Sequence, residues 1–332
     1  MGIYSVALDH EVRSSLDTRQ MLIREVQHGL QERPRSLPPW IFYDARGSQL
    51  FEQITELPEY YPTRTERNIF ASCSDAIIAA ACAERSEPVR IVELGAGTAS
   101  KTSILLDAAV RLQSEVLYAP VDVSSDALYV ACETISTSLP EVCISPIVAN
   151  YVTHPPHLES FDGTTVGLYI GSSIGNFTPQ GARKILRNLR SQLQAGDALL
   201  LGVDMVKDGP TLVAAYDDSE GVTAEFNLNM LNRLNRELAA DFDLARFRHR
   251  ALWNAAHSRI EMHLESTCDQ CVRIADAQLD VCLEEGERIH TENSHKFTDA
   301  TVRDLLEDGG FEIEQTWKDE RGWYSVTLAR VL

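Results

Sequence analysis

The chain has 332 residues, 44% of them hydrophobic, with 30 Lys plus Arg against 49 Asp plus Glu and a formal charge of −19. Such a length buries a substantial core in one large domain or two modest ones, and so acidic a surface repels polyanions, which argues against nucleic acid and anionic membranes as partners. No run approaches the roughly 18 apolar residues of a membrane span, and the start MGIYSVALDHEVRSSLD lacks a basic, then apolar, export signal, so a cytoplasmic location is expected.

Residues 10–33 place Val12, Leu16, Met21, Leu22, Val26 and Leu30 at spacings that suit one helical face, and Pro38 and Pro39 then break the pattern. From residue 88 the runs PVRIVEL, EVLYAPVDV, VCISPIVAN, TVGLYIG and DALLLGVD alternate with helical patterns, which predicts a parallel, doubly wound sheet. After Lys207, two helical stretches (PTLVAAY and AEFNLNMLNRLNREL) lead into RFRHRALW, SRIEMHLE, CVRIADA and LDVCLEE, which read as consecutive antiparallel pairings. A helix opened by Thr298 and Asp299 and closed by paired glycines, then FEIEQTW and WYSVTLARV, return the chain to the sheet. The expected layout is an N-terminal segment at 1–62, a sheet core at 63–204, an inserted module at 205–296 and a C-terminal return at 297–332. The seven cysteines are mostly within apolar runs (Cys73, Cys82, Cys132, Cys143, Cys282) and are expected as reduced thiols without a disulfide framework.

The run Ile91-Val92-Glu93-Leu94-Gly95-Ala96-Gly97-Thr98 turns a strand into a Gly-x-Gly loop, with Lys101 at the start of the next helix. Glycines let backbone approach a ligand closely. One strand-helix unit later Asp122 ends an apolar run, where a carboxylate can accept both ribose hydroxyls of an adenosine. A nicotinamide dinucleotide fingerprint needs a third glycine where Ser100 stands. Glu93, two residues ahead of the first glycine, suits a cationic cofactor such as S-adenosylmethionine.

These residues, with FYDARGSQLFEQITELPEYYPTRTE, GSSIGNFTP, AYDDSEGVTAEFN, RIEMHLE and IHTENSHKF, resemble the histidine-specific methyltransferase family of the ergothioneine pathway, and the likeness runs through nearly the whole chain. The resemblance implies a class I S-adenosylmethionine-dependent methyltransferase fold, Rossmann-like and doubly wound, with an inserted and N-terminal α+β substrate-binding module. It implies an enzyme that trimethylates the α-amine of L-histidine to hercynine and releases S-adenosylhomocysteine. The alternative it leaves open is an N-methyltransferase of another aromatic amine such as tryptophan. By the same resemblance Tyr60, Asn176 and Tyr216 hold the amino and carboxylate groups of the substrate, Tyr43 lies beside the reacting nitrogen, Glu292 and Ser294 read the imidazole, and Met262 packs against its ring. Gly95, Lys101, Asp122 and Gly171 would contact the cofactor, and Asn150-Tyr151, where the family often has Asp-Phe, would meet its adenine. Asparagine keeps an acceptor there but loses a charge.

The chemistry asks mainly for positioning, because the nitrogen lone pair must face the methyl group in line. Holding the amine neutral at pH 7 costs about 2 to 3 kcal/mol, which a dry aromatic pocket reduces by desolvation. Cys268-x-x-Cys271 with His290 and His295 is a poor zinc match in spacing, so no metal is expected. The pairs Asp217-Asp218 and Glu284-Glu285 read as solvated acids, and Asp204, at the end of LLLGVD, stays unassigned. A monomer is expected.

Overall fold

The computed structural model describes residues 18–83, 87–97, 99–123, 125–152 and 154–332. The first helix, α1, runs over 18–31 and buries Leu22, Val26 and Leu30 completely, a spacing of four that lines up one face; the remainder of the expected 10–33 segment up to residue 17 lies outside the described residues. The chain divides into two compact units, one made of residues 18–60 with Asp208–Asn293, the other of Tyr61–Lys207 with Ser294–Leu332.

The second unit is a sheet in the order β13-β14-β7-β6-β2-β3-β4, with β5 also pairing β3. Its strands are β2 (Val89–Leu94), β3 (Val116–Asp122), β4 (Cys143–Ile144), β5 (Ile147–Val148), β6 (Thr164–Tyr169), β7 (Ala198–Asp204), β13 (Phe311–Lys318) and β14 (Tyr324–Val331). All neighbours run parallel except β14, which is antiparallel to both β7 and β13. The expected run VCISPIVAN is two short strands, because Pro146 between them has no N–H to give a ladder. Alternate residues of β7 enter different cores: Ala198 and Leu200 join Ile91, Leu168 and Val326 on one face, and Leu199, Leu201 and Val203 join Val92, Tyr169 and Ala329 on the other. Helices α3 (Tyr61–Ala81), α4 (Thr102–Leu112) and α5 (Ser125–Ser138) cover the first face, and α6 (Pro179–Arg190) and α9 (Asp299–Gly309) the second. Coverage on both faces explains why these strands are apolar without alternation.

The first unit holds β1 (Arg35–Ser36), α2 (Ala45–Glu56), α7 (Gly209–Ala214), α8 (Val222–Leu238), β8 (Phe247–Asn254), β9 (Arg259–Ser266), β10 (Gln270–Ile274), β11 (Leu279–Leu283) and most of β12 (Arg288–His295). The expected meander is corrected: β8 pairs β9, but β9 then neighbours β12 in the order β1-β12-β9-β8, while β10 and β11 form a separate hairpin. In that hairpin Cys271 stands opposite Cys282 and the two are joined as a disulfide, against the expectation of reduced thiols throughout; cross-strand partners are near enough to bond. Cys143, expected inside the core, is exposed. Asp218 is likewise not a solvated acid: it is buried and its carboxylate accepts from the backbone of Val222 and Thr223 at the start of α8.

Burial and the neighbouring His290, whose ring centroid is 5.2 Å away, hold His263 down to about 4. Glu261 offsets this only in part, since its carboxylate is 3.4 Å from His263 Nε2. Burial lowers His290 and His249 as well. A histidine whose folded value lies below its unfolded one favours the fold at neutral pH and loses that contribution as pH falls. For His263 the window runs from about 6.5 down to about 4. The full penalty is about 3 kcal/mol, which solvent around a partly accessible ring reduces to about 1–2. Because pH 5 lies partway through that window, denaturant melts at pH 7.5 and 5 should show a loss about 1 kcal/mol larger in the wild type than in His263→Gln; equal losses in both proteins would show that the ring plays no part.

Candidate active site

In the second unit β2 delivers the chain into Gly95 at φ +71° and Gly97 at φ +54°, left-handed values that glycine adopts without strain. Gly95 N–H bonds to Val121 O at 2.8 Å, which ties the turn to the end of β3. At that end Asp122 accepts a long 3.5 Å hydrogen bond from Gly97 N–H. A Cβ on Gly95 would stand 2.9 Å from the Tyr151 hydroxyl, whereas one on Gly97 would meet nothing within 4 Å. Tyr151 packs edge-on against Tyr169, with ring centroids 6.0 Å apart, and burial raises both phenols. The Asn150 side-chain carbonyl caps Val152 N–H at 3.2 Å. Gly95, Gly97, Asp122 and Tyr151 thus gather at the carboxyl ends of β2 and β3. An open backbone turn, a carboxylate at a strand end and an aromatic ring are the parts that an adenosine-bearing cofactor requires.

Lys101 and Gly171 meet at a residue that the sequence did not single out. Glu66, without accessible surface, accepts from Gly171 N–H at 2.9 Å and Tyr324 OH at 2.7 Å and pairs with the Lys101 ammonium. Glu93, expected to face a cationic cofactor, instead turns inward: it accepts from Thr102 Oγ1 at 2.7 Å and from the Tyr118 hydroxyl. Burial pushes its carboxyl up to about 7. Asn176 ends a short 3-10 helix, Ser173–Asn176, whose Gly175 lies against the His295 backbone so closely that a Cβ would be 2.7 Å from its carbonyl oxygen.

In the first unit the aromatic candidates form a row. Tyr43 lies 5.8 Å from Phe51, Phe51 6.3 Å from Tyr60 and Tyr60 6.1 Å from Tyr216, ring centroid to centroid and all near edge-on. Edge-to-face contacts at this spacing fix ring orientation. Tyr43 is held from both sides: the 3-10 helix Pro39–Phe42 precedes it, and Asp44, which follows, caps α2 and takes hydrogen bonds from Asn229 and Arg236 of α8. Tyr43 itself is 39% exposed, while Tyr60 and Tyr216 are buried. The Tyr216 carbonyl accepts from His249 Nε2 at 2.7 Å, and Asn227 donates to His249 Nδ1 at 2.8 Å. His249 is therefore neutral with its proton on Nε2, in line with burial lowering its value. Met262 is buried opposite Ala251 across β8 and β9. On β12 burial alternates except at Thr291 and Glu292, two consecutive buried residues, and Ser294 is buried again. Cys271, one member of the zinc-like constellation, is used by its disulfide, and among the described residues no group of three or more His, Cys, Asp or Glu side chains could hold a metal.

A seven-strand order with one antiparallel member, a glycine turn after its first long strand and an acid ending the next define the second unit as a class I, Rossmann-like methyltransferase fold. The chain belongs to the histidine-specific, S-adenosylmethionine-dependent methyltransferase family, whose model matches residues 22–331. It is 44% identical to a histidine N-alpha-methyltransferase of Mycolicibacterium smegmatis, over 93% of this chain and 95% of that one. It is 43% identical to the protein of that name from Mycobacterium tuberculosis, over 93% and 94%. Among solved structures it is similar to the magnesium protoporphyrin IX methyltransferase of Synechocystis PCC 6803, with a TM-score of 0.46 and 13% identity over 88% of this chain and 97% of that one.

Proposed function

We propose that this enzyme trimethylates the α-amine of L-histidine to hercynine, the first step toward ergothioneine. The observation that carries the reading is the full-length likeness to two histidine N-alpha-methyltransferases. When bound, S-adenosylmethionine supplies an electrophilic methyl group. Gly95, Lys101, Asp122, Asn150, Tyr151 and Gly171 hold it. Tyr60, Tyr216 and Asn176 hold the α-amino and carboxylate groups, Glu292 and Ser294 read the ring, and Met262 packs against it. Tyr43, with the most exposed ring of its row, faces the amine: its π-face attracts the growing ammonium charge, and its hydroxyl relays a proton outward through water. The aromatic row excludes water, which favours the neutral amine.

We place the enzyme in the cytoplasm as a monomer that handles a small molecule, with no role for nucleic acid or membrane; a charge of −19 suits this, and no helix among the described residues is long and apolar enough to cross a membrane. The test is incubation with S-adenosylmethionine and each free amino acid, followed by mass spectrometry. A gain of three methyl groups on histidine alone is expected, and Glu292→Ala should lower kcat/KM for histidine by at least about 100-fold. Methylation of tryptophan or another aromatic amine in place of histidine would overturn the assignment.

A further inference from the structure

Asp204 ends β7 with no accessible surface, and its carboxylate is crowded. The Tyr61 hydroxyl lies 2.9 and 2.8 Å from its two oxygens, Lys207 Nζ bonds to Oδ1, and Lys296 Nζ lies 2.7 Å from Oδ2. Lys207 is also packed over the Tyr61 ring at 4.4 Å. The segment after β12 reaches this point because Phe297 pairs with the end of β7: its N–H bonds to Asp204 O at 2.9 Å and its carbonyl accepts from Val206 N–H at 2.8 Å. Lys207 and Tyr61 together already satisfy one carboxylate. The Lys296 side chain is fully buried, and a buried ammonium is costly to desolvate unless acceptors are placed around it.

The Lys296 ammonium also bonds to Ser294 Oγ at 2.8 Å. An ammonium has only donors, so in that bond the serine oxygen is the acceptor and its single hydrogen is directed to another acceptor. We propose that Lys296, anchored by Asp204, is a positioning residue that fixes Ser294 as a hydrogen-bond donor to an unprotonated imidazole nitrogen of the substrate. The proposal rests on the reading of Ser294 as a contact to histidine. An unprotonated nitrogen facing Ser294 means that the ring is bound neutral and in one tautomer. Asp204, at the carboxyl end of a central strand where doubly wound sheets place ligands, then acts on the substrate at two removes.

The test is a double-mutant cycle on histidine kinetics at saturating S-adenosylmethionine, with Ser294→Ala, Lys296→Met and the double variant. Each single change should raise KM for histidine about tenfold, with kcat within about threefold, and the double should match the singles, because the second change removes nothing further. Lys296→Gln, too short to span both partners, is the second variant if Lys296→Met does not fold, and the same rise is expected. S-adenosylmethionine affinity by calorimetry should stay within about twofold in all of them. Additive effects in the cycle, an unchanged KM, or a loss of kcat and thermal stability without a KM effect would each reduce Lys296 to a structural ion pair and overturn the proposal. Wild-type enzyme that leaves histidine unmethylated overturns the functional reading and the proposal with it, whereas an active wild type with an additive cycle overturns the proposal alone.

Discussion

Replacing Glu66 with Ala should lower the free energy of unfolding by about 3–5 kcal/mol, the usual cost of removing one partner from a buried ion pair. The size follows from what is left behind. Glu66 accepts from Gly171 N–H at 2.9 Å and from Tyr324 OH at 2.7 Å, and it pairs with Lys101, so the change orphans a backbone donor, a hydroxyl and an ammonium together. The space around it is committed too: a Cβ on Gly202 would stand 2.2 Å from the Glu66 carboxylate, so β7 uses a glycine to let the acid approach. Urea titration followed by circular dichroism measures the effect, and a loss under about 1 kcal/mol, the value of an exposed pair, would show that the network is solvated. Because Lys101 and Gly171 lose their common anchor, S-adenosylmethionine affinity should fall in the same variant.

The elements that define this fold were legible in the sequence where the chemistry is local. PVRIVEL and DALLLGVD became β2 and β7 almost to the residue, and Thr298 caps α9 through Thr301 N–H as its sequence suggests. Helices α2 and α3 have no counterpart among the expected elements, although their starts carry local signals: Gly47 N–H is the donor that Asp44 caps, and Pro62 occupies the first turn of α3, where a missing N–H costs nothing. Strand partners were legible only between neighbours joined by tight turns. The pairing of β12 with β1 spans most of the chain and that with β9 skips the whole β10–β11 hairpin, so neither leaves a local signature.

The candidate site shows the same division. Gly95 and Asp122 follow from strand-turn logic alone. Glu66 and Lys296, by contrast, lie 105 and 92 residues from the partners Gly171 and Asp204 that give them meaning. No spacing rule reaches that far. His249 is silent in the sequence for a related reason: a lone histidine in a strand gives no hint that its proton is spent on the Tyr216 carbonyl.

Gly95→Val should weaken S-adenosylmethionine binding by at least about 100-fold, or about 3 kcal/mol. Two costs combine. A β-branched residue at φ +71° is strained by about 1–2 kcal/mol, and its Cβ would stand 2.9 Å from the Tyr151 hydroxyl, so either the turn or the ring has to move. Tyr151 cannot yield easily, because it is packed against Tyr169. Gly97→Ala separates the terms: at φ +54° it carries the backbone strain, but its Cβ has open space. The loss at Gly97 should therefore be near tenfold if strain alone acts. Calorimetric titration of both variants decides the matter, and near-native affinity in Gly95→Val would mean that the turn does not form the cofactor cradle.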